Sequence, residues 1–134
     1  MVALDGPNSA EYLMLWYALE GIGACTAFTN SNLTCTPLVH SVKLSEARYL
    51  LAERGVEHLV EPCHDELVDA GVTTVYYDQA LLDALTDTTP IPAERTASIA
   101  FTDLRQIIYT SGTTGDYTSD EAFRHLIIWL MSDC

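Results

Sequence analysis

Short apolar runs alternate with longer stretches of helical periodicity along most of the chain. Val2, Ala3 and Leu4 read as the tail of a strand. Asn8 stands three residues before Glu11, a capping-box spacing, and opens a predicted helix. That helix carries Tyr12, Leu15, Trp16 and Leu19 on one face and Leu13, Met14 and Tyr17 on the other, so burial on both sides is expected. Gly21 and Gly23 end it, and residues 24–29 read as a strand closing in the turn Asn30, Ser31, Asn32. Thr36 and Pro37 mark a second helix start, with proline at the first helical position and Leu38, Val39 and Val42 as its apolar face. Residues 47–52 form the next strand. A continuous helix is expected over 56–70, with Leu59, Val60, Cys63 and Leu67 on its inner face, acidic residues elsewhere and Gly71 as its stop. Residues 72–77 are the clearest β-branched and aromatic strand. Two helical turns over 79–85, a linker over 86–95 with Pro90 and Pro92, and a last strand over 105–109 complete the series. Strands alternating with helices in this way predict an α/β fold of βαβ units with a mainly parallel sheet, whose ligands sit at strand ends.

The last strand runs directly into Thr110, Ser111, Gly112, Thr113, Thr114 and Gly115. Two glycines free to adopt positive φ let successive N–H groups converge on an anion, and four hydroxyls add donors. Such a loop suits a phosphate. It lacks the Gly-Lys-Ser/Thr ending of a Walker A motif, and taken alone a Gly/Ser/Thr turn after a strand is the commoner reading.

Composition narrows the chemistry. The 134 residues are one domain's worth, and 49% hydrophobic content with slightly positive mean hydropathy argues against disorder. Nineteen acidic residues against six basic ones give a net charge of −13, a field that repels polyanions and argues against nucleic-acid binding. By the same arithmetic, a bound triphosphate would need Mg2+ or cations from elsewhere. Cys25, Cys35, Cys63 and Cys134 show no zinc-ribbon spacing and read as free thiols of a reducing compartment, which leaves the Asn32-Leu33-Thr34 glycosylation string idle. No basic leader opens the sequence, and the apolar run 12–28 is short for a membrane span and interrupted by Glu20, Gly21 and Gly23. His58, Glu61, Cys63 and His64 could suggest a metal or a Cys-His pair, but helical spacing points them apart, and a solvated acidic face is the better reading. No catalytic residue and no metal ligand is assigned.

Tyr109 to Gly115 resembles the phosphate loop of the adenylate-forming, AMP-binding superfamily. Upstream, Val2 to Asp5, Asn8 to Tyr12, Leu15-Trp16, Gly21 to Ala24, Asn30 to Leu33 and Ala47 to Leu51 resemble its very-long-chain acyl-CoA synthetase and fatty-acid transport protein branch. The resemblance implies that residues 1–115 are part of the large N-terminal domain of such an enzyme. It implies ATP, Mg2+ and coenzyme A as cofactors, a fatty acid as substrate, and Thr110, Ser111, Gly112, Thr113, Thr114 and Gly115 as the grip on the ATP phosphates. It further implies an intracellular place, in the cytoplasm or on the cytosolic face of endoplasmic reticulum, peroxisome or lipid-droplet membranes. The family pattern continues after the loop into Pro and Lys, where this chain has Asp116, Tyr117 and Thr118. The aromatic-Gly-x-Thr-Glu segment that supplies a Mg2+ carboxylate does not occur, Thr114-Gly115-Asp116 only coincides with the ribose-binding string, and Lys43 is the sole lysine. Residues 116–134 read as an unmatched tail with a capped amphipathic helix. The expectation is therefore an acyl-CoA synthetase part that is inactive by itself, the alternative being a short non-catalytic protein that associates with a full-length synthetase or another partner.

Overall fold

The computed structural model describes residues 1–100 and 103–109. The expected loop 110–115 and the expected C-terminal helix lie outside the described residues. Five strands form one sheet: β1 Val2–Asp5, β2 Thr26–Thr29, β3 Tyr49–Glu53, β4 Thr73–Tyr77 and β5 Gln106–Ile108. Their order is β4-β3-β1-β2-β5, and every pairing is parallel, in agreement with the pattern of alternating elements. The helices are α1 Ala10–Gly21, α2 Cys35–Leu44, α3 Glu57–Val60, α4 His64–Asp69 and α5 Gln79–Ala84.

Successive strand residues point to opposite faces, and two apolar clusters follow from that alternation. Ala3, Leu50 and Ala52 face α2, α3 and α4, meeting Leu38, Val42, Val60, Cys63 and Leu67 in the main core. Leu4, Phe28, Leu51 and Tyr77 face the other way, against Tyr12, Leu15 and Trp16 of α1. Each fully buried aliphatic side chain of this kind contributes about 1.5–3 kcal/mol.

Local chemistry corrects several expected boundaries. Ser9, not Asn8, caps α1, its Oγ accepting from the Tyr12 N–H at 3.0 Å. Pro37 sits third in α2, still within the first turn, where its missing N–H is not needed. The continuous helix expected over 56–70 is broken into α3, a single 3-10 turn at Glu61–Cys63, and α4, because Pro62 cannot donate to the helical ladder and its ring crowds the preceding turn. Burial of α1 on both sides is likewise not found. Within α1 only Tyr12 is buried, while Leu13, Met14 and Tyr17 are 50%, 58% and 64% exposed, because among the described residues the sheet covers one face alone.

Three helix ends share one hydrogen-bond pattern. After α1, the Gly23 N–H donates to Glu20 O and the Ala24 N–H to Leu19 O; after α4, Gly71 and Val72 repeat it on Val68 and Leu67. Both glycines take the positive φ that this cap requires, 78° and 76°. After α2, Glu46 and Ala47 bond to Lys43 and Val42 in the same way, with Glu46 forced to φ 55°.

Candidate functional site

The strand order reverses at β1. From the carboxyl end of β1 the chain leaves for α1 on one face, and from the adjacent β2 it leaves for α2 on the other. Neighbouring strands whose connections diverge leave a crevice beyond their carboxyl ends, the place where open α/β sheets bind ligands. A cavity of about 490 Å3 lies there. Gly6 and Asn8 reach it from the end of β1, and Tyr12, Leu13 and Trp16 from α1. Phe28, Thr29, Asn30 and Ser31 come from the end of β2, with Gln106 and Ile108 from β5.

Among the described residues its lining is uncharged. The apolar wall is fixed by ring contacts: Trp16 meets Phe28 edge-on with centroids 5.1 Å apart, and Tyr12 lies 6.1 Å from the same ring. The Trp16 Nε1–H donates to Glu20 Oε1 at 3.1 Å, which holds the indole against α1. The polar rim is shaped by Asn30, whose Oδ1 accepts from the Asn32 backbone N–H at 3.0 Å and from Asn32 Nδ2 at 3.2 Å. That Asx turn sends the chain from the end of β2 toward α2.

β5 lies beside β2, pairing Gln106, Ile107 and Ile108 with Thr26, Ala27 and Phe28. The next residue, Tyr109, donates its hydroxyl to Ser41 O of α2 at 2.6 Å. The doorstep of the Thr110–Gly115 loop is thus anchored at the carboxyl edge of the sheet, next to the cavity; the loop residues themselves lie outside the described residues.

Acidic and phenolic groups gather at the same edge. Asp5 ends β1 almost wholly buried, at 1% exposure, and its Oδ1 has no hydrogen-bond partner. Burial pushes its pKa up to about 6, against a smaller downward pull from the Gly6 backbone. Tyr77, at the end of β4, is 2% exposed with an unpartnered hydroxyl. Burial raises its pKa to about 12, with Glu53 and Asp5 adding to the rise. The Tyr12 hydroxyl donates to Leu4 O at 3.4 Å, and burial, then Tyr77 and Asp5, hold it firmly protonated.

The other candidates are dispersed. His58 Nδ1 is engaged at 3.1 Å with Gly55 O, and Cys63 faces the core. Among the described residues no three His, Cys, Asp or Glu side chains converge as a metal set. Motif reading missed Asn8, Asn30, Ser31 and Gln106 as cavity residues. For Asn8, Asn30 and Ser31 the signal was positional, since each follows a strand at the carboxyl edge where ligands collect, whereas Gln106 opens β5 and gave none.

The comparisons with known proteins agree with this geometry. The model of the AMP-binding enzyme family matches residues 1–116. A very long-chain fatty acid transport protein of Cochliobolus heterostrophus is 50% identical over 115 residues, covering 86% of this chain and 18% of its own length. A very long-chain fatty acid transport protein of Saccharomyces cerevisiae is 32% identical over 123 residues, with 85% and 18% covered. A 2-succinylbenzoate--CoA ligase of Listeria monocytogenes is 36% identical over 118 residues, with 86% and 21% covered. The chain therefore spans about a fifth of the length of these relatives. With a parallel sheet, a crevice at its carboxyl edge and a family match along nearly the whole sequence, the chain belongs to the AMP-binding enzyme family.

Proposed function

We propose that this chain is the phosphate-loop part of an adenylate-forming fatty acid ligase. In the reaction envisaged, a fatty acid and ATP give an acyl-adenylate and pyrophosphate, and the acyl group then passes to coenzyme A. The observation that carries the proposal is the delivery of Tyr109 by β5 to the carboxyl edge of the sheet, beside the cavity. From there the N–H groups and hydroxyls of Thr110, Ser111, Gly112, Thr113, Thr114 and Gly115 are assigned to the ATP phosphates. ATP supplies the electrophilic phosphorus when bound.

The described lining fits only part of such a ligand. Asn8, Thr29, Asn30, Ser31 and Gln106 offer neutral donors and acceptors, and among the described residues no lysine or arginine lines the cavity. Arg54 is already committed to Asp78 at 2.8 Å and Glu57 at 3.5 Å. A triphosphate needs cations that these residues do not provide, so no catalytic step is assigned to the chain alone. Residues 1–115 are read as the family domain part and 116–134 as a tail outside it. The cytosol, or the cytosolic face of a membrane, is the proposed location. Among the described residues no helix is long and apolar enough to cross a membrane.

The test is equilibrium dialysis with Mg2+ and ATP, paired with an assay for acyl-CoA from fatty acid, ATP and coenzyme A. Weak nucleotide binding that Gly115→Val abolishes, without acyl-CoA formation, is expected. Binding indifferent to that substitution overturns the loop assignment, and acyl-CoA formation by the purified chain overturns its incompleteness.

A second reading, a non-catalytic protein that associates with a full-length synthetase or another partner, is favoured by the exposed Leu13, Met14 and Tyr17 on α1. Specific co-purification supports it, and a soluble monomer with no partner counts against it.

A further inference from the structure

Two cysteines lie on neighbouring elements where the first turn of α2 packs on the broken helix of the next crossover. Thr34, just before α2, donates its hydroxyl to Leu59 O of α3 at 3.0 Å, which pins the start of α2 to that segment. The same hydroxyl lies 3.5 Å from the Sγ of Cys35, the first residue of α2, whose side chain is exposed. Cys35 adopts φ 49°, a left-handed conformation that a cysteine keeps only when its surroundings impose it. On the other side, Cys63 closes the 3-10 turn at Glu61–Cys63, is 1% exposed, and donates its thiol to Val60 O at 3.1 Å. α2 packs directly on α3 and on this turn. Burial raises the pKa of the Cys63 thiol, and both the backbone N–H and the thiol of Cys35 are near enough to act on it, the former lowering and the latter raising it.

We infer that Cys35 and Cys63 are an oxidation-sensitive pair, which a hydroperoxide converts into a disulfide joining the start of α2 to the turn between α3 and α4.

The exposed Cys35 meets the oxidant first. Its thiolate attacks the O–O bond of the peroxide, giving a sulfenic acid and, for hydrogen peroxide, one water after protonation. The buried Cys63 thiol loses its proton as its sulfur attacks the Cys35 sulfur, forming the S–S bond and expelling the second water. Two thiols and one hydrogen peroxide thus give one disulfide and two waters. Cys25 is no competitor, since it precedes β2 at the amino end of the sheet, away from the start of α2. The new bond fixes the chain only a few residues beyond Asn30 and Ser31, which line the cavity.

The experiment uses the full chain with Cys25→Ser and Cys134→Ser, exposed to hydrogen peroxide and then tagged with a maleimide. Tryptic cleavage at Lys43 and Arg54 separates the two cysteines, so a disulfide shows as two peptides joined without reductant and released with it. Joint loss of both thiols, reversal by dithiothreitol, and a rate several-fold faster in buffer than in urea are expected. Survival of both thiols overturns the inference. So does over-oxidation of Cys35 while Cys63 still takes the tag, or equal rates with and without urea. Should the double variant fail to fold, fragment-ion mapping of the linkage in the unsubstituted chain decides the same question, a bond to Cys25 or Cys134 overturning it.

Discussion

Replacing Asp5 with asparagine isolates the carboxylate that burial disfavours most visibly. Asp5 is held at the end of β1 between β2 and β3, paired in register with Thr29 and Ala52, and its Oδ1 finds no donor. Desolvation raises its pKa from 3.8 to about 6. A folded-state pKa above the unfolded one means that the native state binds the proton more tightly. Stability is therefore greatest below the unfolded pKa and is lost as pH rises through the folded one. The full penalty above pH 7 is about 3 kcal/mol, and between pH 5 and pH 7.5 it grows by about 1.4 kcal/mol, tenfold in the folding equilibrium constant. Urea titrations in that window avoid precipitation near the pI of 4.3. Asp5→Asn cannot titrate, so its advantage over the unsubstituted chain should widen by that amount from pH 5 to pH 7.5. Any fixed cost of an imperfectly bonded amide is the same at both pH values and cancels from the comparison. Parallel pH profiles for the two proteins refute the reasoning.

Glu46→Gly should stabilise the chain by about 0.5–1 kcal/mol in urea unfolding, because the cap after α2 demands the positive φ that Gly23 and Gly71 supply elsewhere. Gly6→Ala should destabilise by about 1–3 kcal/mol, since its Cβ would stand 2.7 Å from the Tyr77 hydroxyl. In a Tyr77→Phe background that loss should shrink by at least about 0.5 kcal/mol, a coupling measured by a double-mutant cycle. Ser9→Ala should lower stability by about 1 kcal/mol through loss of the α1 cap, read as a lower urea midpoint at unchanged slope. Leu50→Ala, in the centre of the main core, should cost about 2–5 kcal/mol by the same measurement.

Periodicity carried the architecture because a buried parallel sheet leaves a strong trace in sequence. The runs read as strands over 2–4, 24–29, 47–52, 72–77 and 105–109 each coincide with a strand to within two residues at either end, and the glycines after α1 and α4 mark true helix ends. Periodicity misjudged places where one residue overrides a pattern. Pro62 breaks a segment whose apolar spacing still reads as one helix, and Val60, Cys63 and Leu67 are buried together despite the break. The apolar surround of α1 implied two covering layers, whereas only the sheet covers it among the described residues. Strand order was not legible, because alternation establishes that elements cross over and not in which direction. The crevice between β1 and β2, and with it the neutral cavity, depends on that direction.

The residues that break sequence rules point to the same edge of the sheet by another route. A strand interior is expected to end its apolar run before an aspartate reaches the core, yet Asp5 is buried, and Glu53 and Tyr77 end neighbouring strands with buried oxygens lacking partners. Buried unpartnered oxygens also occur at Thr26 and Thr74, so the property alone does not mark a site. What separates the three edge residues is their grouping around Gly6. A Cβ at Gly6 would stand 2.7 Å from the Tyr77 hydroxyl and 3.4 Å from Glu53 Oε2, and Gly6 itself lines the cavity. The glycine keeps the strand end low enough for these polar atoms to close over it on one side while the cavity opens on the other. Destabilising groups held beside a ligand crevice are what a fold retains where geometry at that edge matters more than local stability. The titration of Asp5 and the Gly6–Tyr77 coupling therefore report on the support of the cavity, without requiring the loop that follows Tyr109.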